Sequence, residues 1–189
     1  MTEPGATGRK PATGRLVAAG LLAATVTVAL YVIGRVHTPN YTVSLFGQAG
    51  LAAIMLKSLL ATVVLGLAGV QVLLALWLYH KLPLAGSPPR PVRRWHRATG
   101  FALFAVTVPV AVHCLLAYGV QLTSTRVAVH SLAGCLFYGA FTAKVLLVRS
   151  RRLPGWALPA AGGTLAVLVA VLWYTSAAWY YNGFQLPGL

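Results

Sequence analysis

The chain has 189 residues, 58% of them hydrophobic and 8% charged, with a mean hydropathy of +0.77, a composition whose principal solvent is lipid. Asp and Glu together number 1, namely Glu3, which excludes carboxylate-pair catalysis, a Ser-His-Asp triad, carboxylate-rich metal cages and the buried carboxylate relays of proton pumps. The formal net charge of +14 does not mark a nucleic-acid binder, because the cations flank apolar segments where they meet headgroups.

Five apolar stretches, four near the ~20 residues that one crossing takes and one longer, predict an all-α fold: a polytopic bundle of five transmembrane helices in one domain, 16–181. The first, 16–34, follows a tail (1–15) expected to be disordered and cytoplasmic. It reads as a retained anchor, since its apolar run is long and no small-residue cleavage motif precedes Arg35. The second, 48–79, is long enough to tilt or to begin as an interfacial turn. The third, 98–120, follows RPVRRWHR, which reads as a loop lying against anionic headgroups. The fourth, 127–148, leaves through RRLPGW, and the fifth, 157–180, precedes a short tail, 182–189. Arg9, Lys10 and Arg15, then Lys81, Arg90, Arg93, Arg94 and Arg97, then Arg149, Arg151 and Arg152 fall on one side, against Arg35 and Arg126 on the other. This distribution predicts a cytoplasmic N-terminus, an external C-terminus and a multi-pass protein of the inner (plasma) membrane.

Helices three and four carry the chemistry. The tetrapeptide VAVH occurs twice, ending at His113 and at His130, and these two positions are mirror images about the short link GVQLTST. Antiparallel helices of equal rise therefore place both imidazoles at one depth. His80 and His96 mirror about LAGSPPRP in the same way, at the other end, while His37 stands alone and is expected to be solvated. Level histidines on facing helices are what axial ligation of a haem iron requires, and the absence of a CxxCH motif leaves haem b. Gly134, four residues after His130, would let a flat macrocycle approach, with Phe137 and Phe141 at its edge; HRATG repeats the spacing with His96 and Gly100.

Cations add a second line of argument. Lys57 within helix two and Arg126 at the end of helix four have no side-chain carboxylate to pair with, and haem propionates would supply two. Lys144 lies near the far end of helix four and can snorkel. Simpler roles stand beside these. Such histidines also hydrogen-bond carbonyls or hydroxyls across helix interfaces, glycines serve ordinary close packing, and Lys57 can reach lipid phosphate. Helices joined by so short a link ordinarily pack about 8–10 Å apart, so a haem between them requires the pair to splay. Cys114 and Cys135 differ in depth by about 9 Å, from ~1.5 Å of rise per residue, which is too much for a disulfide.

The segments RRWHRATG, VPVAVHCLLAYG, TRVAVHSLAGCLFYGAFTAKVLLVRSRRLPGWALPAAGG and LWYTSAAW, within residues 41 to 181, resemble a domain-of-unknown-function family of small actinobacterial membrane proteins. More loosely, they are similar to cytochrome b561 and ferric-reductase-like haem proteins. That similarity implies His96, His113 and His130 as ligands, and Lys144 departs from it where some diheme helices carry another histidine.

These readings converge on a b-type haem protein mediating electron transfer, an oxidoreductase subunit and not a hydrolase. Its haem iron is held by His113 and His130, with Lys57 and Arg126 on the propionates and His96, with His80, as a second site. Its partners would be the lipid bilayer and a quinone or soluble redox protein. Two other classes compete: a cofactor-free assembly subunit within a homo- or hetero-oligomer, and a metal-handling protein using His and Cys for Cu(I) or Zn.

Overall fold

A computed structural model describes residues 12–82, 86–150 and 153–188. Arg9, Lys10, Arg151 and Arg152, named above, lie outside the described residues, as do Glu3 and most of the tail. The described chain is all-helical, with α1 (Ala12–Val36), α2 (Gly50–Leu78), α3 (Arg90–Tyr118), α4 (Thr125–Arg149) and α5 (Ala157–Trp173). A π turn (Tyr174–Ala178) carries α5 on into a last short turn, α6 (Trp179–Tyr181). Counted with that extension, five helices are long and apolar enough to cross a bilayer.

The helix boundaries exceed the apolar stretches where polar residues satisfy helix chemistry. RPVRRWHR, expected as a loop, is helical from Arg90, with Pro89 at the N-cap and a proline in the first turn, where its missing N–H costs nothing. α4 begins at Ser124, whose Oγ accepts from Val127 N at 3.4 Å. Hydroxyls inside the helices bond back to their own ladders: Ser58 Oγ to Ile54 O, Thr62 Oγ1 to Ser58 O, Thr142 Oγ1 to Tyr138 O. No water competes in lipid, so each such donor finds a carbonyl one turn back.

The helices pack in the order α1 on α4, α4 on α5, α5 on α2 and α2 on α3. Consecutive α3 and α4 do not pack backbone to backbone along their length. They meet through large side chains: Phe104 and Phe141 stack with centroids 4.0 Å apart and planes 12° apart, and Tyr138 sets its ring edge-on at 5.9 Å from Phe104. Phe104 and Phe141 are near mirror images about the link, as an antiparallel register of the two helices requires. Phe137, 2% exposed, joins α4 to the core of Val64, Ala68, Leu103, Leu165 and Val169.

The end of α1 fastens the link between α3 and α4. Val120 N donates to Gly34 O at 2.8 Å, Arg35 Nη1 to Val120 O at 3.3 Å, and Asn40 N to Leu116 O at 3.2 Å. His37, expected to be solvated, instead donates from Nε2 to Leu116 O at 2.9 Å. The last carbonyls of a helix lack intrahelical donors, and this imidazole supplies one. Gly119 adopts φ 65 and ψ −160, a conformation that essentially only glycine occupies, and a Cβ there would stand 2.6 Å from Gly34 O. Along α1 and α4, a Cβ on Gly139 would strike Thr27 Oγ1 and lie 2.5 Å from Ala23 O.

Gly119→Ala and Gly139→Leu should therefore each lower the thermal midpoint of the detergent-solubilised protein, by a destabilisation of about 1–3 kcal/mol. Gly66→Ala, where nothing lies within 4 Å, is the control. Melting of the first two variants no earlier than the control would contradict the close approach of α1.

Candidate functional site at the link between α3 and α4

His113, 4% exposed, is one of the few buried polar residues. Its Nε2 lies 3.1 Å from Val43 O, and since a carbonyl only accepts, Nε2 carries the proton. Nδ1 is left deprotonated, buried and without a partner among the described residues. Val43 belongs to an ordered loop, 37–49. There Leu45 and Gln48 exchange backbone bonds of 2.8 and 2.9 Å across a tight turn, with Phe46 at φ 49 and Gly47 at φ 81. Leu45 is buried, so the loop folds over the His113 end of α3.

His130 on α4 turns toward α5. Its Nδ1 is 2.9 Å from Thr175 Oγ1, and that hydroxyl donates its own proton to Val171 O at 2.7 Å. Thr175 Oγ1 must then accept from His130, which assigns the proton to Nδ1 and leaves Nε2 with an open lone pair. Thr175 is 1% exposed and sits in the π turn. Its carbonyl accepts from Arg126 Nη1 at 2.9 Å, so one residue holds both the imidazole and the guanidinium. π turns interrupt the regular ladder and recur at functional sites.

Two cations stand near these rings, each on neutral partners. Lys57 Nζ donates to Tyr118 OH at 3.2 Å and lies 4.3 Å from that ring's centroid; Tyr118 in turn packs edge-on to His113 at 5.9 Å. Lys57 is within electrostatic reach of His113, Cys114 and His130, which makes it the common neighbour of the group. Arg126 places Cζ 3.8 Å over the ring of Trp179. Cation–π contact stands here in place of a carboxylate, of which the described residues have none in their side chains.

The structure thus gathers His113, His130, Lys57 and Arg126 at one end of the bundle, with the two imidazoles bonded to different elements. Gly134 faces α5: a Cβ there would meet Leu172 at 3.9 Å, so this glycine opens space toward α5 and not toward α3. Gly100 makes room for Gln71 of α2, whose Nε2 donates to His96 O at 2.7 Å and bonds Thr99 Oγ1. His96 is half-buried, its Nδ1 is buried without a partner among the described residues, and Lys144 of α4 lies within its electrostatic reach. His80 sits past the end of α2 at φ 54, exposed, and no hydrogen bond or ring contact among the described residues links it to His96. Cys114 and Cys135 are free thiols. Among the described residues no three His, Cys, Asp or Glu side chains form a group able to hold a metal ion.

Thr175, Tyr118 and the Val43 carbonyl were invisible as site elements in the sequence. A threonine in YTSAA carries no signal of a π turn, and a backbone acceptor carries none at all.

The model of a family of unknown function, DUF6529, matches residues 16–188. The chain belongs to this family. Comparison with curated proteins and with solved structures gives no match. In this DUF6529 protein the match takes in all five helices, the link and the C-terminal turn, a longer span than the resemblance over 41 to 181 suggested.

The tautomers are directly measurable on protein purified without cofactor. Nitrogen NMR of labelled histidine should show His130 protonated at Nδ1 and His113 at Nε2. Thr175→Val, which keeps shape and removes the acceptor, should abolish the Nδ1-H signature of His130 while leaving that of His113. An Nε2-protonated His130 in the wild-type protein would refute the assignment.

Proposed function

We propose that this protein is a b-type haem-binding membrane protein that passes electrons between a quinone or soluble donor and an external acceptor. The observation that carries the reading is the open Nε2 of His130, whose other nitrogen is held by Thr175. A ligating histidine needs this arrangement: the far N–H is donated to an outer partner, which sets both the tautomer and the ring orientation.

The residues fit the group unequally. His130 would hold the iron through Nε2 without rearrangement of its own bonds. His113 offers Nδ1 as its open nitrogen while Nε2–H stays on Val43 O; ligation through Nε2 would instead require releasing Val43 and shifting loop 37–49. α3 and α4 make no close backbone contact, but the stacked rings of Phe104 and Phe141 stand between them, so a flat group there would have to sit beyond those rings, toward the link. Lys57 is the better placed cation for a propionate. Arg126 acts through Thr175, as a positioning residue for His130. Bound haem would supply one-electron chemistry, and the chain would supply ligands, orientation and a low-dielectric surround. A second haem at His96 finds no support: His80 is exposed, and no hydrogen bond or ring contact among the described residues joins it to His96. On the distribution of cations, the link lies on the external side of the plasma membrane.

One observation favours the cofactor-free assembly reading. The bonds from His113 to Val43 and from His130 to Thr175 already tie a loop and a helix to the bundle, which is what purely structural histidines do.

Absorption spectra of protein expressed with ample haem and purified in mild detergent separate the two. The haem reading expects a Soret band that shifts on reduction, one haem per chain, and loss of the low-spin spectrum in both His113→Ala and His130→Ala. Thr175→Val should weaken haem affinity by about ten- to a hundredfold, the usual cost of losing an outer partner of a ligand. A protein that is colourless and fully folded, with the histidine variants losing only stability, would establish the assembly reading instead.

A further inference from the structure

Arg126 offers more donors than the protein uses. A guanidinium has five N–H groups, and among the described residues only Nη1 has an acceptor, Thr175 O. Beside it lies a cavity of about 350 Å³ lined by Ser124, Arg126, Trp179, Phe184, Gln185 and Leu186. The C-terminal segment is folded back to build its wall. Phe184 N donates to Trp179 O at 2.9 Å through a turn with Gly183 at φ 64 and Phe184 at φ 66, which brings the two rings edge to face at 4.9 Å. Tyr174 OH donates to Pro187 O at 2.8 Å and ties the segment down.

The polar groups around this cavity retain donor capacity that no acceptor among the described residues uses. Ser124 Oγ accepts from Val127 N, which leaves its proton to give. The Gln185 side chain makes no hydrogen bond among the described residues. Among the described residues no side-chain carboxylate is present to neutralise Arg126. From this geometry we infer that the cavity is an oxyanion site that takes a phosphate group, with Arg126 as its charged donor, Ser124 and Gln185 as neutral donors, and Trp179 and Phe184 as its apolar wall. Arg is suited to phosphate because its planar fork donates two parallel bonds, and this one is already oriented by Trp179 and Thr175. The ligand chemistry is shared by a lipid headgroup and by free phosphate. The site is independent of haem, since the cavity and its lining involve neither His113 nor His130.

The test uses delipidated full-length protein in mild detergent without haem, probed separately with inorganic phosphate and with dihexanoyl phosphatidylglycerol, binding being read by native mass spectrometry and thermal shift. One probe should bind at one per chain, and which one does so identifies the source. Arg126→Gln should weaken that binding about ten- to a hundredfold, as the loss of charge-assisted bonds to phosphate does, and Arg126→Lys should restore part of it. Gln185→Glu, at an exposed position, keeps Arg126 but gives it a carboxylate partner, and should abolish binding without unfolding the protein. Absence of binding by both probes, or equal binding by wild type and Gln185→Glu, would overturn the site.

Discussion

In lipid every polar group must find its partner within the protein, and this chain has no side-chain carboxylate among its described residues to offer. That constraint organises most of what is polar in the bundle. Hydroxyls bond one turn back along their own helices, imidazoles bond a carbonyl or a hydroxyl, and two cations rest on aromatic rings. Lys57 on Tyr118 and Arg126 on Trp179 are attractions between charge and quadrupole, each worth about 0.5–2 kcal/mol depending on desolvation. Neutral partners of this kind stabilise each cation without neutralising it.

The same scarcity explains why so few contacts set the geometry of the site. α3 and α4 are consecutive, yet the aromatic stack of Phe104 and Phe141 holds them apart, and the end of α1 secures the link through Gly34, Arg35 and His37. Without that fastening, the carbonyls at the end of α3 would lack donors and the short link would draw the two helices together. Small residues carry the close approaches, as expected where apolar burial does not favour helix over lipid: Gly139 lets α1 lie on α4, and Gly119 lets the chain turn against Gly34.

Thr175 joins the two halves of the site. Its hydroxyl assigns the proton on His130 and its carbonyl orients Arg126, so the π turn holds both side chains through one residue. That arrangement follows from one backbone segment whose ladder is interrupted where two side chains need an acceptor.

Much of this was legible from residue order. Five helices followed from apolar length, and the antiparallel pairing of α3 with α4 across the short link GVQLTST followed from its length. The absence of carboxylates, and with it the need of Lys57 and Arg126 for other company, was equally plain. What residue order did not carry was direction around each helix and the choice among neutral acceptors. Gly134 and His130 look outward to α5, His37 caps α3, Gly100 admits Gln71, and RPVRRWHR is helix and not loop. These outcomes depend on which helices become neighbours, and a bundle in which α1 packs on α4 while α3 stands off from it is decided by side-chain volume and hydrogen-bond satisfaction between segments far apart in the chain. Composition and spacing determined the apolar surroundings, the number of long apolar helices and the order of polar groups along each of them; only the tertiary structure decided what each of those groups faces.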